Sequence, residues 1–282
     1  MSDRVVVAAP GPLLPALVAA LPAWSRNTLR ERLRLGCIEV DGEVARRHDQ
    51  PVAAGAVVTI RPAAAGRRPD APAGLPILFV DDDLCAIDKP AGLLSVGSDD
   101  ERERTALALL RAQLGGGELW PAHRLDRETS GVLLFARTRA AKDAVQAGWP
   151  AAAKVYAAVV AGAPRPPDGV VDQPLWEDRN LFVRVGAHAD AKPAVTRYRT
   201  LARGGGCALL EVQLDTGRKH QIRAHLAWLG CPIVGDARYG VRGPRLMLHA
   251  EELAFDHPAD GRRVVLRAPV PAAFALAVRP GR

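Results

Sequence analysis

The sequence predicts an α+β protein in two parts: a small module of two helices and a β-sheet, followed by a larger domain. The larger domain is read as a mixed, largely antiparallel central sheet flanked by helices. Three observations carry this reading. From Leu75 onward, short apolar runs of strand length alternate with polar turns, and two helical periods interrupt them. Before Ile60, two punctuated helical segments lead into a tight hairpin and a further strand. Between these regions, Pro62 to Gly74 is rich in Pro, Ala and Gly and carries no hydrophobic periodicity, the composition of a linker. The expected division is residues 1–61, a linker over 62–76, and residues 77–282.

The 282 residues are 48% hydrophobic and 24% charged, which excludes whole-chain disorder and collagen-like repeats. No run approaches the roughly 18 uninterrupted apolar residues of a membrane span. The opening Met1-Ser2-Asp3-Arg4-Val5 has neither a lysine-rich leader nor an apolar stretch behind it, so a cytoplasmic location is expected. Cys37, Cys85, Cys207 and Cys231 are scattered, with no C-x-x-C and no histidine at ligand spacing; they read as reduced core residues, and no metal is expected. The net charge of +7 favours a polyanionic partner. Residues 1–68 hold ten basic and six acidic side chains, so the excess is concentrated at the front.

In chain order, Leu13 to Leu21 is a short apolar helix ended by Pro22. Ser25 stands at the N-cap of a second helix, Arg26 to Leu35, and Gly36 at its C-cap. Leu29 and Leu33 share one face of it. Arg26, Arg30 and Arg34 repeat along another as a basic stripe about 12 Å long. Such a stripe can follow a phosphate backbone or be an ordinary solvated helix face. Ile38-Glu39-Val40 and Glu43-Val44 flank Asp41-Gly42, a tight-turn dipeptide, and Val57 to Ile60 adds a third strand. This unit resembles the alpha-L RNA-binding motif shared by a small-subunit ribosomal protein and several RNA-modifying enzymes. The resemblance rests on Ser25-Arg26, Leu29, Gly36, Val40-Asp41-Gly42 and Ala54-Gly55-Ala56-Val57, and it implies RNA binding.

Four stretches of the larger domain crowd polar and glycine residues beside strands, where a scaffold commonly places chemistry. In Ile87-Asp88-Lys89-Pro90-Ala91-Gly92-Leu93, a strand ends in a turn. The preceding Asp81-Asp82-Asp83 reads as a solvated turn, not a cation site. In His123-Arg124-Leu125-Asp126-Arg127-Glu128-Thr129-Ser130-Gly131, guanidinium groups flank Asp126 and favour its charged form, as for a nucleophile or base. An exposed charge cluster explains the spacing equally well. The G-x-S-x-G frame is absent, so a serine hydrolase is not indicated. Tyr156, on the strand Lys154 to Gly162, fits either a satisfied core tyrosine or a platform for an extruded base. Finally, Leu209 to Leu214 is a strand, and Thr216-Gly217 is expected to open a helix ended by Gly230. Arg218, Lys219 and His220 would then sit at that helix's N-terminus, a good anion site. His220 and His225 are five apart with no zinc-protease glutamate between them, which argues against a metal helix.

Together these stretches resemble the RluA branch of the pseudouridine synthases. The matching residues are His123-Arg124-Leu125-Asp126-Arg127 with Thr129-Ser130-Gly131, Lys154-x-Tyr156, and Thr216-Gly217-Arg218-x-His220-Gln221-Ile222-Arg223-x-His225. Asp88 to Gly92, Gly235-Asp236 with Tyr239-Gly240, and Leu248-His249-Ala250 follow in the same order. The likeness spans roughly residues 75 to 275 and implies a pseudouridine synthase catalytic domain that turns uridine into pseudouridine in RNA without a cofactor. It implies that Asp126 is the essential carboxylate, that Tyr156 stacks on the uracil, and that Arg223 pairs with Asp126. It places Arg124 where a side chain fills the space of the flipped nucleotide, and Arg218 and His220 at phosphate or loop contacts. Ribosomal RNA of the large subunit is the expected target, with transfer RNA second, and a monomer is favoured. Two rivals remain: a binding-only ribosome-assembly factor, and a nucleosidase or glycosidase with Glu128 as second carboxylate.

Overall fold

The structure, a computed structural model, describes residues 3–22, 24–34, 37–45, 47–60, 74–97, 101 and 103–279. Gly36, the side chain of Arg34 and residues 61–73 of the linker region lie outside the described residues. The chain divides into two compact units, Met1–Ala73 and Gly74–Arg282.

In the first unit the elements are β1 (Asp3–Val6), β2 (Gly11–Pro12), α1 (Leu13–Ala20), α2 (Arg26–Arg34), β3 (Ile38–Val40), β4 (Glu43–Val44), β5 (Pro51–Val52) and β6 (Val57–Ile60). One antiparallel sheet runs in the order β1-β6-β3-β4, and β2 pairs with β5. The Ser25 hydroxyl accepts the Thr28 N–H at 3.0 Å, the expected N-cap of α2. Leu29 and Leu33 are buried with Leu13, Leu17, Ile38 and Val58, whereas Arg26 and Arg30 are exposed. Asp41 and Gly42 both take positive φ, 51° and 90°, as the mirror-image hairpin turn demands. The Asp41 carboxylate then accepts the Val57 N–H at 2.8 Å, which locks the hairpin to β6. Strand β1 was not expected, since Asp3-Arg4-Val5-Val6 has too short an apolar pattern to stand out.

The second unit begins at Gly74. Leu75 is buried, and its N–H and C=O are both bonded by the Gln113 side chain. Its elements are β7 (Ile77–Val80), β8 (Leu84–Lys89), α3 (Ala106–Gln113), β9 (Trp120–Pro121), β10 (Ser130–Ala136), α4 (Arg139–Gly148), β11 (Ala153–Ala161), β12 (Asp168–Asp172), β13 (Leu175–Glu177), β14 (Val183–Val185), β15 (Val195–Gly204), β16 (Cys207–Leu214), α5 (Gln221–Trp228), β17 (Leu248–Asp256), β18 (Arg263–Arg267) and α6 (Ala272–Ala277). A ten-stranded sheet runs β12-β15-β16-β11-β17-β10-β8-β7, with β18 on β17 and β9 on β10. Among the described residues β10–β17 is its one parallel pair, so the sheet is mixed and largely antiparallel, as expected.

That parallel pair needs Gly131. Its φ is +114°, and a Cβ there would stand 2.1 Å from the Ala250 carbonyl oxygen, so only glycine lets β17 approach the strand that follows the Asp126 loop. Apolar clusters pack around Val159, Leu210, Val212, Leu226 and Phe274, and around Leu84, Leu134, Val145 and Phe255. Helix α4 is capped by Thr138 and α3 by Thr105, whose hydroxyls accept the Ala141 and Ala108 N–H groups. No helix among the described residues is long and apolar enough to cross a membrane.

The start of α5 departs from the sequence reading. The helix opens at Gln221, not at Thr216-Gly217, because the Gln221 side chain builds a turn ahead of it. Its Oε1 accepts the Arg218 N–H at 2.9 Å and the Thr216 hydroxyl at 2.8 Å, while its Nε2 donates to the Val195 carbonyl and the Thr196 hydroxyl. Gly230, at φ +76°, ends the helix as expected.

Candidate active site

Asp126 stands in the loop between β9 and β10, and both of its neighbours are tied down by buried polar side chains from one segment. On one side, the Ser95 hydroxyl donates to the Leu125 carbonyl at 2.7 Å and accepts the Leu125 N–H at 3.0 Å. On the other, the Lys89 ammonium donates to the Arg127 carbonyl at 3.2 Å and to those of Pro90 and Leu93 at 2.9 and 2.8 Å. Lys89 is fully buried; burial pushes it down to about 8, against the pull of Glu128, Asp126 and Asp88. The Gly92 N–H adds a bond of 2.8 Å to the Arg127 carbonyl. These bonds hold the main chain on both sides of Asp126.

Arg223, in the first turn of α5, reaches this loop. Its Nη1 donates to Asp126 Oδ2 at 3.1 Å, and its Nε and Nη2 grip Asp236 in a two-pronged pair of 2.8 Å bonds. Burial works against the guanidinium's charge, but Asp236 and then Asp126 outweigh it and raise Arg223 above the ordinary arginine value. Burial likewise opposes the Asp236 charge, and the Arg223 bonds together with the Arg238 and Tyr239 N–H groups pull that carboxyl below its usual range.

Tyr156, on β11, is half-buried and lines the same cleft as Asp126, where burial and then the Asp126 charge push its phenol well up. His220 is also on the wall, with Nε2 3.8 Å from Asp126 Oδ2. Arg124, Thr129, Gln221, Ile222 and Leu248 complete much of the rest.

Six of the residues expected from sequence thus meet at one cleft: Asp126, Tyr156, Arg223, Arg124, Arg218 and His220. The anion site expected at a helix N-terminus does not form as drawn. Arg218 and Lys219 precede α5 in the turn, where Arg218 Nε donates to the Pro193 carbonyl at 3.1 Å and Lys219 pairs with Glu177. Arg26, Arg30 and Arg34 belong to the first unit. Glu128 comes within 4.0 Å of Arg223 Nη1, yet it is half-exposed and absent from the residues lining the cleft. Lys89, Asp236 and Tyr239 were visible as motif residues without a role. Ser95, in Leu94-Ser95-Val96, carried no signal at all.

A carboxylate bonded by a buried guanidinium shares an open cleft with a tyrosine ring and two arginines, an arrangement suited to a planar base carried on an anionic chain. Comparison with known proteins gives the family. Residues 83–228 match the RNA pseudouridylate synthases. An uncharacterized RNA pseudouridine synthase of Chloroflexus aurantiacus is 38% identical over 98% of this chain and 93% of its own. A protein named ribosomal large subunit pseudouridine synthase D, from Xanthomonas campestris, is 36% identical over 93% of this chain and 87% of its own. Among solved structures, human RNA pseudouridylate synthase domain containing 4 superposes with a TM-score of 0.61 at 29% identity, covering 73% of this chain and 95% of that one. The chain belongs to the RNA pseudouridylate synthase family and is an isomerase of uridine in RNA.

Proposed function

We propose that the enzyme isomerises uridines of large-subunit ribosomal RNA, with Asp126, Tyr156 and Arg223 carrying the chemistry. Residues 1–61 would serve as an RNA-binding module joined through residues 62–76, the last three of which already belong to the second compact unit, to the catalytic domain, 77–282. The observation that carries the assignment is the 3.1 Å bond from a buried Arg223 to Asp126 in a loop pinned on both sides. The reaction breaks the bond from ribose C1′ to uracil N1 and forms one from C1′ to C5; the C5 proton leaves and N1 regains one, so nothing is oxidised or reduced. Asp126 is the group on the cleft wall that can address the ribose, by attack at carbon or by taking a proton. With its phenol pushed up, Tyr156 enters as a neutral ring, suited to stacking on the turned base. Reaching it requires the uridine to leave its stack at a cost of a few kcal/mol, which basic contacts offset. Arg124, exposed at the rim, is placed to fill the vacated space, and Arg218 to meet a phosphate. The ribosomal target draws on the name of the Xanthomonas relative.

The test is a map of pseudouridine across cellular RNA in a deletion strain complemented with wild type or Asp126→Asn. Loss of one or a few sites in large-subunit ribosomal RNA, restored by wild type alone, is the expected result. Restoration by Asp126→Asn, or release of free uracil in place of the isomerised nucleoside, sinks it.

A further inference from the structure

His220 has a geometry that a mere phosphate contact would not require. It takes φ +51° and ψ 21° immediately before α5, a left-handed conformation that a side chain with a Cβ adopts at a cost. The conformation delivers the imidazole between two groups: Nδ1 lies 2.9 Å from the Tyr239 hydroxyl, and Nε2 faces Asp126 at 3.8 Å, too long for a hydrogen bond between them.

Tyr239 decides which ring nitrogen carries the proton. Its oxygen already accepts the Val183 N–H at 3.1 Å. Its ring is held by the edge of Phe182 at 5.8 Å and by the Arg223 guanidinium 5.4 Å from its centroid, so the hydroxyl cannot turn away. A second lone pair remains on that oxygen, but among the described residues Nδ1 is the one acceptor bonded to the Tyr239 hydroxyl. The phenolic proton is therefore satisfied within the protein by going to Nδ1, and a neutral imidazole then has its own proton on Nε2, pointing into the cleft. Burial lowers the ring's pKa, Asp126 is the next influence and opposes it, and Arg223, Arg238 and Lys219 lower it further, so the net direction is toward a neutral ring.

We propose that His220 is a catalytic hydrogen-bond donor, its Nε2–H held over the cleft by Tyr239 to bond a carbonyl oxygen of the departing uracil beside Asp126. This rests on the assignment of the cleft as the uridine site. When the C1′–N1 bond breaks, its electron pair stays with the base and spreads onto the uracil carbonyl oxygens. The carbonyl next to the broken bond is the one nearest a carboxylate that addresses the ribose. A preoriented neutral donor at that place stabilises charge that exists only as the bond breaks, so it raises the rate without tightening binding. Tyr239 is the positioning residue.

The experiment has two readouts on the full chain. Imidazole ¹⁵N NMR, with His220 assigned by its loss in His220→Asn, reads the tautomer. Single-turnover tritium release, from total RNA of a deletion strain grown on [5-³H]uridine, reads the chemistry, and retention of the same RNA on a filter reads binding. Asparagine tolerates the left-handed backbone, so that variant adds no backbone strain at this turn. The expected results are a protonated Nε2 in wild type and a mixture of tautomers in Tyr239→Phe. Release should slow about a hundredfold in His220→Asn, less in Tyr239→Phe, with part of the rate recovered in His220→Gln and RNA binding unchanged throughout. A proton on Nδ1 in wild type overturns the inference, as does weakened binding at full rate, or full rate in both variants while Asp126→Asn is dead. Full rate in Asp126→Asn overturns instead the assignment of the cleft, and the role of His220 with it.

Discussion

Asp236 holds Arg223 by two parallel bonds of 2.8 Å, and Asp236 has no exposed side-chain surface. The pair sets the angle at which the remaining nitrogen of the guanidinium meets Asp126. Breaking one partner of a buried pair leaves the other charge uncompensated, at about 3–5 kcal/mol. Asp236→Asn is therefore expected to lose about 3 kcal/mol in urea unfolding and to lower the single-turnover rate while RNA binding persists. Arg223→Lys should lose rate as well, since an ammonium cannot span the fork. Unchanged stability in Asp236→Asn would mean that the pair does not hold the arginine.

Lys89 is expected to matter through the shape of the Asp126 loop. Lys89→Met fills the same space but leaves the Pro90 and Leu93 carbonyls without that donor, at about 1–3 kcal/mol for each left unsatisfied away from water, while the Arg127 carbonyl keeps the Gly92 N–H. A lower urea midpoint and a slower rate should appear together, and Ser95→Ala should reproduce a milder form from the Leu125 side. A Lys89→Met protein with wild-type rate would show that the loop keeps its shape without the clamp.

Acid sensitivity should trace in part to His123. Its Nε2 accepts the Leu134 N–H at 3.1 Å and its ring stacks on Trp149 with centroids 4.7 Å apart. Burial, and then the Lys154 charge, push it down from 6.5 to about 3. Between those values the unfolded chain binds a proton that the folded chain refuses, so stability falls as pH falls, by at most about 1.4 kcal/mol per unit from this residue. His220, His225 and His249, also lowered by burial, act in the same direction. Urea midpoints measured from about pH 7.5 to about pH 5 should fall less steeply in His123→Gln, whose amide oxygen can still accept from Leu134. Equal slopes would remove His123 from the account.

Much of this site was legible because its parts lie in short runs. Asp126 stood out between two arginines, Tyr156 as one of few aromatics, and Arg223 on a helix with a clear apolar face. The hairpin at Asp41-Gly42 and the caps at Ser25 and Gly230 were legible because each is a local backbone requirement with a narrow choice of residues. What escaped acts across the sheet. Ser95 is thirty residues from the loop it pins, and Asp236 meets Arg223 from the segment that follows α5, thirteen residues on. The start of α5 was misplaced because a glutamine side chain, not the Thr216-Gly217 pair, closes the preceding turn. Spacing rules carry backbone preference and amphipathic period, and neither encodes which distant side chain will satisfy a buried carbonyl.

The first unit offers a prediction that separates binding from chemistry. Arg26 and Arg30 are exposed on α2 while Leu29 and Leu33, between and beyond them, are buried, so the arginines form the outer face of that helix. If that face lies along RNA phosphates, each arginine displaces a condensed counterion, and the dependence of log affinity on log salt steepens by about 0.7 to 0.9 per contact. The double variant Arg26→Ala, Arg30→Ala is then expected to bind the deletion-strain RNA more weakly at low salt, with a slope shallower by about 1.5. Its single-turnover rate at saturating enzyme should be that of wild type, because none of the cleft residues has changed. A slope equal to wild type would identify the stripe as solvated helix surface and leave RNA affinity to the catalytic unit; a rate lost together with affinity would tie these arginines to the reacting geometry.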